Sequence, residues 1–202
     1  MIYGISYVYW LVYGSSLDLP AILGRLVGLG YEIGRAGYRE GAVYLDPLPG
    51  GYAARRVYEE GIVYLLADLQ RGALGVFSEG YGLLNRGIAD VSRALMELSM
   101  PEPPRAELHV SFGLAGEDCR KEKVSISGIE FVRTGLVLMS GEPQGGEGIY
   151  VSVTPVGTGR YMAYLVVGGG WQYVLSHMKR IGDLLNSLVG YFVCGDAGFS
   201  GI

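Results

Sequence analysis

The stretch REGAVYLDPLPGG at residues 39–51 aligns with RTGLVLMSGEPQG at residues 133–145, at an offset of 94 positions. Farther along, RGIADV at residues 86–91 aligns with KRIGDL at residues 179–184 at an offset of 93. The tripeptide EGI at residues 60–62 recurs at residues 147–149, at an offset of 87. Internal similarity of this kind indicates that one structural unit occurs twice in the chain. The sequence therefore predicts two tandem repeats.

Both halves show a similar predicted order of elements: a strand, an optional helix, four strands and a long helix. The first half opens with an aromatic, β-branched strand at residues 2–13 and a helix capped by Asp18. The second half opens with a strand at residues 106–112, and the polar run at residues 116–123 stands where the first half has its capped helix. Apolar residues at helical spacing predict the long helices at residues 81–99 and 171–189. The remaining strands are expected at residues 31–38, 41–46, 62–69, 74–78, 125–132, 136–139, 149–154 and 161–167.

This pattern predicts an α+β fold with an antiparallel sheet in each half, or one continuous sheet, covered on one face by the long helices. The proline-rich residues 101–104 are the predicted linker between a first repeat at 1–100 and a second at 105–193, and residues 194–202 form a tail. We expect the repeats to be related by a pseudo-twofold axis within one globular unit. The element order is similar to that of the saddle of the TATA-binding proteins. This is an architectural analogy only, since none of that family's sequence motifs is present.

Composition argues against some classes of function. The net charge is −4, whereas a nucleic-acid-binding domain usually carries a basic stripe. Charged residues make up only 18% of the chain, which leaves much apolar surface for a protein partner or a second copy to cover. The uncharged runs at residues 1–17 and 161–178 are interpreted as strands, the second continuing into a helix, so that no membrane association and a cytoplasmic location are expected.

Tyrosines on the predicted strands are the main candidates for a binding face. Tyrosine combines apolar area with a polar hydroxyl and is enriched at protein interfaces. The alternative interpretation is that these are ordinary half-buried sheet residues. The candidate face consists of nine residues, His109 included because it alternates with apolar neighbours: Tyr3, Tyr7, Tyr9, Tyr13, Tyr44, Tyr64, His109, Tyr150 and Tyr164.

The sequence contains no recognisable catalytic motif, and neither a metal site nor a cofactor is predicted. The cysteines, Cys119 and Cys194, have no zinc-ligand spacing and are interpreted as free thiols or a single bridge. Asp90 and Asp183 occupy aligned positions in the long helices, where a pair of carboxylates could serve acid–base chemistry. The favoured interpretation is that both mark solvated helix faces.

The sequence thus favours a binding or assembly protein that uses a tyrosine-rich sheet face for a protein partner or for self-association. One alternative is a protein or enzyme that holds a small apolar ligand in a cavity between sheet and helices. A second alternative is a nucleic-acid binder of the saddle type. Whether the chain is an enzyme is left open, with a role other than catalysis preferred.

Overall fold

The structure is a computed structural model that describes residues 1–117, 123–127, 129–132 and 135–193. The described residues form both β-strands and α-helices, as the predicted α+β class requires. The first half contains β1 (Ile2–Val12), α1 (Leu19–Gly28), β2 (Glu32–Ile33), β3 (Arg35–Arg39), β4 (Ala42–Asp46), β5 (Ala54–Tyr58), β6 (Gly61–Asp68), β7 (Ala73–Ser78) and α2 (Tyr81–Glu97). The second half contains β8 (Arg105–Ala115), β9 (Lys123–Ile126), β10 (Ile129–Val132), β11 (Leu136–Gly141), β12 (Gly148–Gly157), β13 (Arg160–Gly169), α3 (Trp171–Met178) and α4 (Ile181–Phe192).

Strands from both halves form one antiparallel sheet of nine strands in the order β11-β12-β13-β8-β1-β7-β6-β5-β2. The long strands β1 and β8 pair with each other at its centre. Outward from this pair, β1-β7-β6-β5 on one side corresponds to β8-β13-β12-β11 on the other. The predicted α+β class with a large antiparallel sheet is therefore confirmed, and the sheet is continuous between the halves.

This strand order distinguishes between the sequence matches. EGI at residues 60–62 and 147–149 lies at the starts of β6 and β12, which occupy corresponding places in the sheet. The turns that follow these strands contain Gly72 and Gly159, also 87 positions apart, with φ of 56° and 63°. By contrast, the sequence match between residues 39–51 and 133–145 aligns β4 with β11, although these strands are not hydrogen-bonded to each other. Since β4 belongs to a separate hairpin with β3 while β11 is an edge of the large sheet, those strands do not correspond.

Several elements differ from the predictions. The strand expected at residues 31–38 is two strands, β2 and β3, which belong to different sheets, and the strand expected at residues 125–132 is replaced by β9 and β10, which pair with each other in antiparallel orientation. Strand β5 pairs with β6 and β2 in the large sheet, yet its sequence ARRVY lacks the apolar alternation that would have predicted it. The helix expected at residues 171–189 is two helices, α3 and α4, separated by Lys179 and Arg180. The amide of Arg180 donates to the carbonyl of His177 at 3.0 Å, a bond tighter than the α-helical pattern. The apolar spacing from Val174 and Met178 to Ile181 continues across this break, so periodicity alone does not reveal it.

The helices pack against one face of the sheet and bury the core between them. Alternate residues of the central strands, such as Leu11 on β1 and Leu108 on β8, point to this side and are fully buried. Helix α1 begins where the carboxylate of Asp18 accepts a hydrogen bond from the amide of Ala21 at 3.1 Å, with Pro20 in the first turn, as the sequence predicts. No helix in the described ranges has both the length and the apolar character needed to span a bilayer.

None of the helices in the described part of the chain lies on the opposite side of the large sheet, and we call this side the open face. The side chains that alternate with the buried ones point to the open face. They include Val8 and Trp10 on β1, Glu107 and His109 on β8, and Tyr164 on β13. The broad exposed surface of the sheet lies on this face, because the helices cover the other.

Candidate functional site: the open face and its cleft

Five of the nine predicted binding residues lie on the open face. They come from both halves of the sheet and from five different strands: Tyr3, Tyr64, His109, Tyr150 and Tyr164. A sixth, Tyr44, lies on β4 in the separate hairpin, where its ring covers the backbone of Gly37. The sequence therefore identified part of a shared surface, and the structure excludes Tyr44 from it.

The other three residues require a correction, because Tyr7, Tyr9 and Tyr13 point to the helix side of β1. Tyr7 is 2% exposed and Tyr9 is 0% exposed. Their rings contact Tyr81 of α2 and Trp171 of α3, with centroids 5.9 Å and 6.4 Å apart. Burial, followed by the nearby Tyr81 hydroxyl, raises the pKa of Tyr7 to about 12. Tyr13 packs against the same core, and none of the three contributes to an exposed binding face.

A β-bulge explains why Tyr3 differs from the other tyrosines of its strand. Tyr3 pairs with Gly113 and Ser6 pairs with Ser111, so β1 contains one more residue than β8 between these two pairs. Gly4 adopts a φ of +59° within the bulge. The extra residue reverses the alternation, which places Tyr3 on the open face while Tyr7, Tyr9 and Tyr13 face the helices. Strict alternation without a bulge, as assumed from the sequence, would place Tyr3 on the same face as Tyr7, Tyr9 and Tyr13.

In the first half, the open face is filled by aromatic rings. Tyr52 stacks on Tyr64 with centroids 4.1 Å apart, and Phe77 lies 5.7 Å from Tyr64. Beside them, the indole of Trp10 lies over Gly75, where a Cβ atom would come within 2.9 Å of the ring. These rings pack against one another, so aromatic side chains occupy this part of the face.

In the second half, the open face contains a cleft of about 870 Å³. Its floor is formed by β8, β12 and β13, and its wall by the loop that joins β11 to β12. The size falls within the range of small-molecule sites. The side chains that line the cleft include Arg71, Glu107, His109, Met139, Glu142, Tyr150, Ser152, Tyr164 and Val166.

A network of charged and polar groups lies at the base of the cleft, centred on Glu107. Its Oε1 accepts hydrogen bonds from Arg71 Nη2 at 2.9 Å and Arg105 Nε at 3.2 Å, and its Oε2 lies 3.1 Å from His109 Nε2. The Glu107 side chain is only 11% exposed. Burial alone would raise the pKa of this carboxyl, but the donors from His109, Arg71 and Arg105 outweigh burial and lower it to about 2. Glu107 is therefore a carboxylate at neutral pH.

The carboxylate determines the arrangement of the next two groups. Because an ionised carboxylate only accepts, His109 Nε2 must carry the hydrogen that it donates to Glu107. In the neutral imidazole, Nδ1 is then an acceptor, and it receives the hydroxyl hydrogen of Tyr164. Burial, followed by the charge of Glu107 and the neighbouring Tyr150, raises the pKa of Tyr164, so its hydroxyl stays protonated at neutral pH. The phenol oxygen keeps lone pairs with which it can accept a further hydrogen bond.

Arg105 fixes the wall of the cleft. Its Nη1 donates to the carbonyl of Gly146 at 3.0 Å, and its Nη2 donates to the carbonyl of Pro143. This loop passes so close to β13 that a Cβ atom on Gly168 would collide with the Pro143 carbonyl. A glycine at position 168 therefore allows the loop to lie against the sheet, where Arg105 holds it.

The network contains residues that the sequence interpretation missed. Arg105 and Glu107 were missed, although they alternate with buried residues along β8 together with the predicted His109, and this i, i+2, i+4 pattern of polar side chains was a usable signal for a shared face. Arg71 gave no such signal. It lies in the turn between β6 and β7 and reaches Glu107 only because the sheet order places that turn beside the start of β8.

The aligned aspartates do not play matching roles. Asp90 Oδ2 accepts hydrogen bonds from Tyr31 at 3.1 Å, Arg56 at 2.8 Å and Tyr58 at 2.7 Å, so it is not on a solvated helix face as expected. Asp183 is exposed on α4. They are not brought together as a catalytic pair.

The thiols are not part of the described site. Cys119 and Cys194 lie outside the described residues, and so does most of the polar run at residues 116–123.

Comparison with known proteins gives a fold likeness alone. No protein-family model matches the chain, and no curated protein matches it in sequence. Among solved structures, the chain is similar to TBP of Methanococcus jannaschii, with a TM-score of 0.33 and 16% sequence identity over 92% of this chain and 98% of that one. Likeness at this level says nothing of what this chain binds.

Proposed function

We propose that this protein is a binding and assembly protein that associates with a second copy of itself through the open face. The observation that carries this proposal is the set of large apolar side chains that the open face leaves exposed without a covering helix. They are distributed over four strands: Tyr3 on β1, Val57 on β5, Val137 and Met139 on β11, and Met162 on β13.

The charges of this face support a protein partner. The guanidinium of Arg55 lies 2.6 Å from Glu32, and those of Arg71 and Arg105 both bond Glu107. Binding a phosphate backbone requires several basic groups to neutralise it, whereas these three arginines share two carboxylates and leave only one positive charge in excess.

A second copy is favoured over other proteins for a related reason. In a twofold dimer the same patch meets itself, so a patch with strong net charge would repel its copy. Pairing most of these charges with carboxylates lowers that repulsion, and the apolar residues supply the area to bury.

Sedimentation velocity on three matched proteins tests the proposal. Met162→Asp places a charge on the open face at a side chain that is 50% exposed, whereas Met96→Asp makes the same change on α2 at a side chain that is 71% exposed. The unchanged protein and Met96→Asp should sediment as dimers at micromolar concentration, and Met162→Asp as a monomer. A monomeric unchanged protein, or a dimer that Met162→Asp does not weaken, contradicts the proposal. Binding of duplex DNA at physiological salt would support the saddle-type alternative instead.

A further inference from the structure

The cleft beside Glu107 has features that self-association does not require. An interface between copies calls for a broad apolar patch, but this recess has an ionic base around the buried Glu107 and places the apolar side chains Met139 and Val166 beside it. The same loop that walls it is held by hydrogen bonds from Arg105, whose guanidinium bonds the carboxylate and two backbone carbonyls. A cleft with a few fixed polar groups and apolar walls is the usual form of a small-molecule site.

Arg71 is the charged donor with capacity left for a ligand. A guanidinium has five N–H donors, and Arg71 gives one to Glu107 from Nη2. Its side chain is 43% exposed and lines the cleft. Arg105, in comparison, has three bonds within the described network and a side chain that is 20% exposed. An anionic group entering the cleft would therefore meet Arg71.

The charges around the base limit the kind of anion. Arg71 and Arg105 together exceed the charge of Glu107 by one positive unit, and the carboxylate of Glu142, which is exposed and screened by water, offsets this excess only in part. One added negative charge is compatible with this arrangement, whereas a doubly charged phosphate would face the carboxylate of Glu142 with no second free cation among the lining residues of the described chain. Met139 and Val166 offer the remainder of the ligand an apolar surface.

We infer that the cleft binds a small organic monocarboxylate, with its carboxylate on Arg71 and its apolar body against Met139 and Val166. Tyr164 lies at the same base, and when its hydroxyl donates to a neutral His109 its oxygen can accept from a hydroxyl or N–H group of the ligand. This goes beyond the proposed self-association, which does not depend on an occupied cleft.

The test uses defined probes and the whole chain. Benzoate, 3-phenylpropanoate and octanoate, each beside its uncharged amide, are titrated to millimolar concentration into ¹⁵N-labelled protein while amide chemical shifts are recorded by NMR. We expect saturable shifts at Ser152, Tyr164 and Val166 for at least one carboxylate, and weaker binding of its amide.

Two variants and a control locate the binding. Arg71→Gln should lower the affinity for the carboxylate probe about tenfold, to a value close to the affinity for its amide, since a hydrogen bond to a charged group is lost. Ser152→Tyr should abolish binding of both by filling the cleft. Arg55→Gln, which removes another arginine of the open face, should leave affinity unchanged.

Several outcomes would overturn the inference. They are the absence of saturable shifts with all three carboxylates, equal binding of acid and amide, and shifts that Ser152→Tyr leaves intact. Unchanged amide spectra away from the cleft show that each variant is folded. Repeating the titration on Met162→Asp separates this result from the proposed function, because a monomeric variant should still bind the carboxylate.

Discussion

Phe77 in the first half and Tyr164 in the second each lie five residues after the positive-φ glycine of their hairpin turn. Phe77 pairs across the strands with Tyr64, whereas Tyr164 pairs with Ser152. Two rings fill the space in the first half. In the second, a serine leaves room for the cleft, and the hydroxyl of Tyr164 bonds His109. Corresponding positions of one scaffold thus carry packing in one half and a polar recess in the other.

The largest expected effect concerns the ionic base that only the second half contains. Glu107→Gln removes the charge that Arg71 and Arg105 share, and should lower the free energy of unfolding by about 3 kcal/mol at pH 7, from the fall of the carboxyl pKa from 4.5 to about 2. Since the folded-state pKa is lowered, this stabilisation is present above pH 4.5 and is lost as the pH falls toward 2. Urea denaturation of both proteins at several pH values measures the difference.

The pH dependence distinguishes this effect from a packing defect. The gap in unfolding free energy between the unchanged protein and Glu107→Gln should shrink as the pH falls from 4.5 toward 2, while a packing defect would leave it constant. Glu142→Gln, which changes an exposed carboxylate on the same cleft, is the control and should shift stability by less than about 0.5 kcal/mol.

A smaller effect is expected when the first half is made to resemble the second. Tyr64→Ser recreates the serine–aromatic pair beside Phe77 and should cost about 2 kcal/mol, because the stack with Tyr52 and Phe77 is lost. Urea denaturation at pH 7 checks this value. The same change at Tyr38, which is 60% exposed in the β3–β4 hairpin, should cost less than about 1 kcal/mol. Equal costs would mean that the aromatic stack contributes no stability.

How far the sequence determines these features depends on the range of the interaction. The strands β1 and β8 are predictable because alternation is a property of consecutive residues, and so is the shared face of Arg105, Glu107 and His109. The bulge at Gly4 is not, since it becomes visible only in the pairing of β1 with β8. The contact of Arg71 with Glu107 depends on the strand order, which residue patterns do not specify.

The smallest change in unfolding free energy is expected for substitutions of Asp90 and Asp183, the two aspartates that the sequence alignment places together. Asp90→Asn removes the ion pair with Arg56 but keeps an oxygen that can accept from Tyr58, so a loss of about 1 kcal/mol is expected. Asp183→Asn changes an exposed side chain and should alter stability by less than about 0.5 kcal/mol. Thermal or urea denaturation of both variants at pH 7 measures the two values side by side.

The reason for the difference lies in what surrounds each helix. Asp90 on α2 faces β5, whose Arg56 and Tyr58 point to the helix side, and Tyr31, which follows α1. Helix α1 has no counterpart among the described elements of the second half. A double-mutant cycle of Asp90→Asn with Arg56→Gln should therefore show coupling, and its absence would mean that Asp90 is held by the tyrosines alone. Equal losses for Asp90→Asn and Asp183→Asn would contradict the view that α1 and β5 give the first half its own polar contacts.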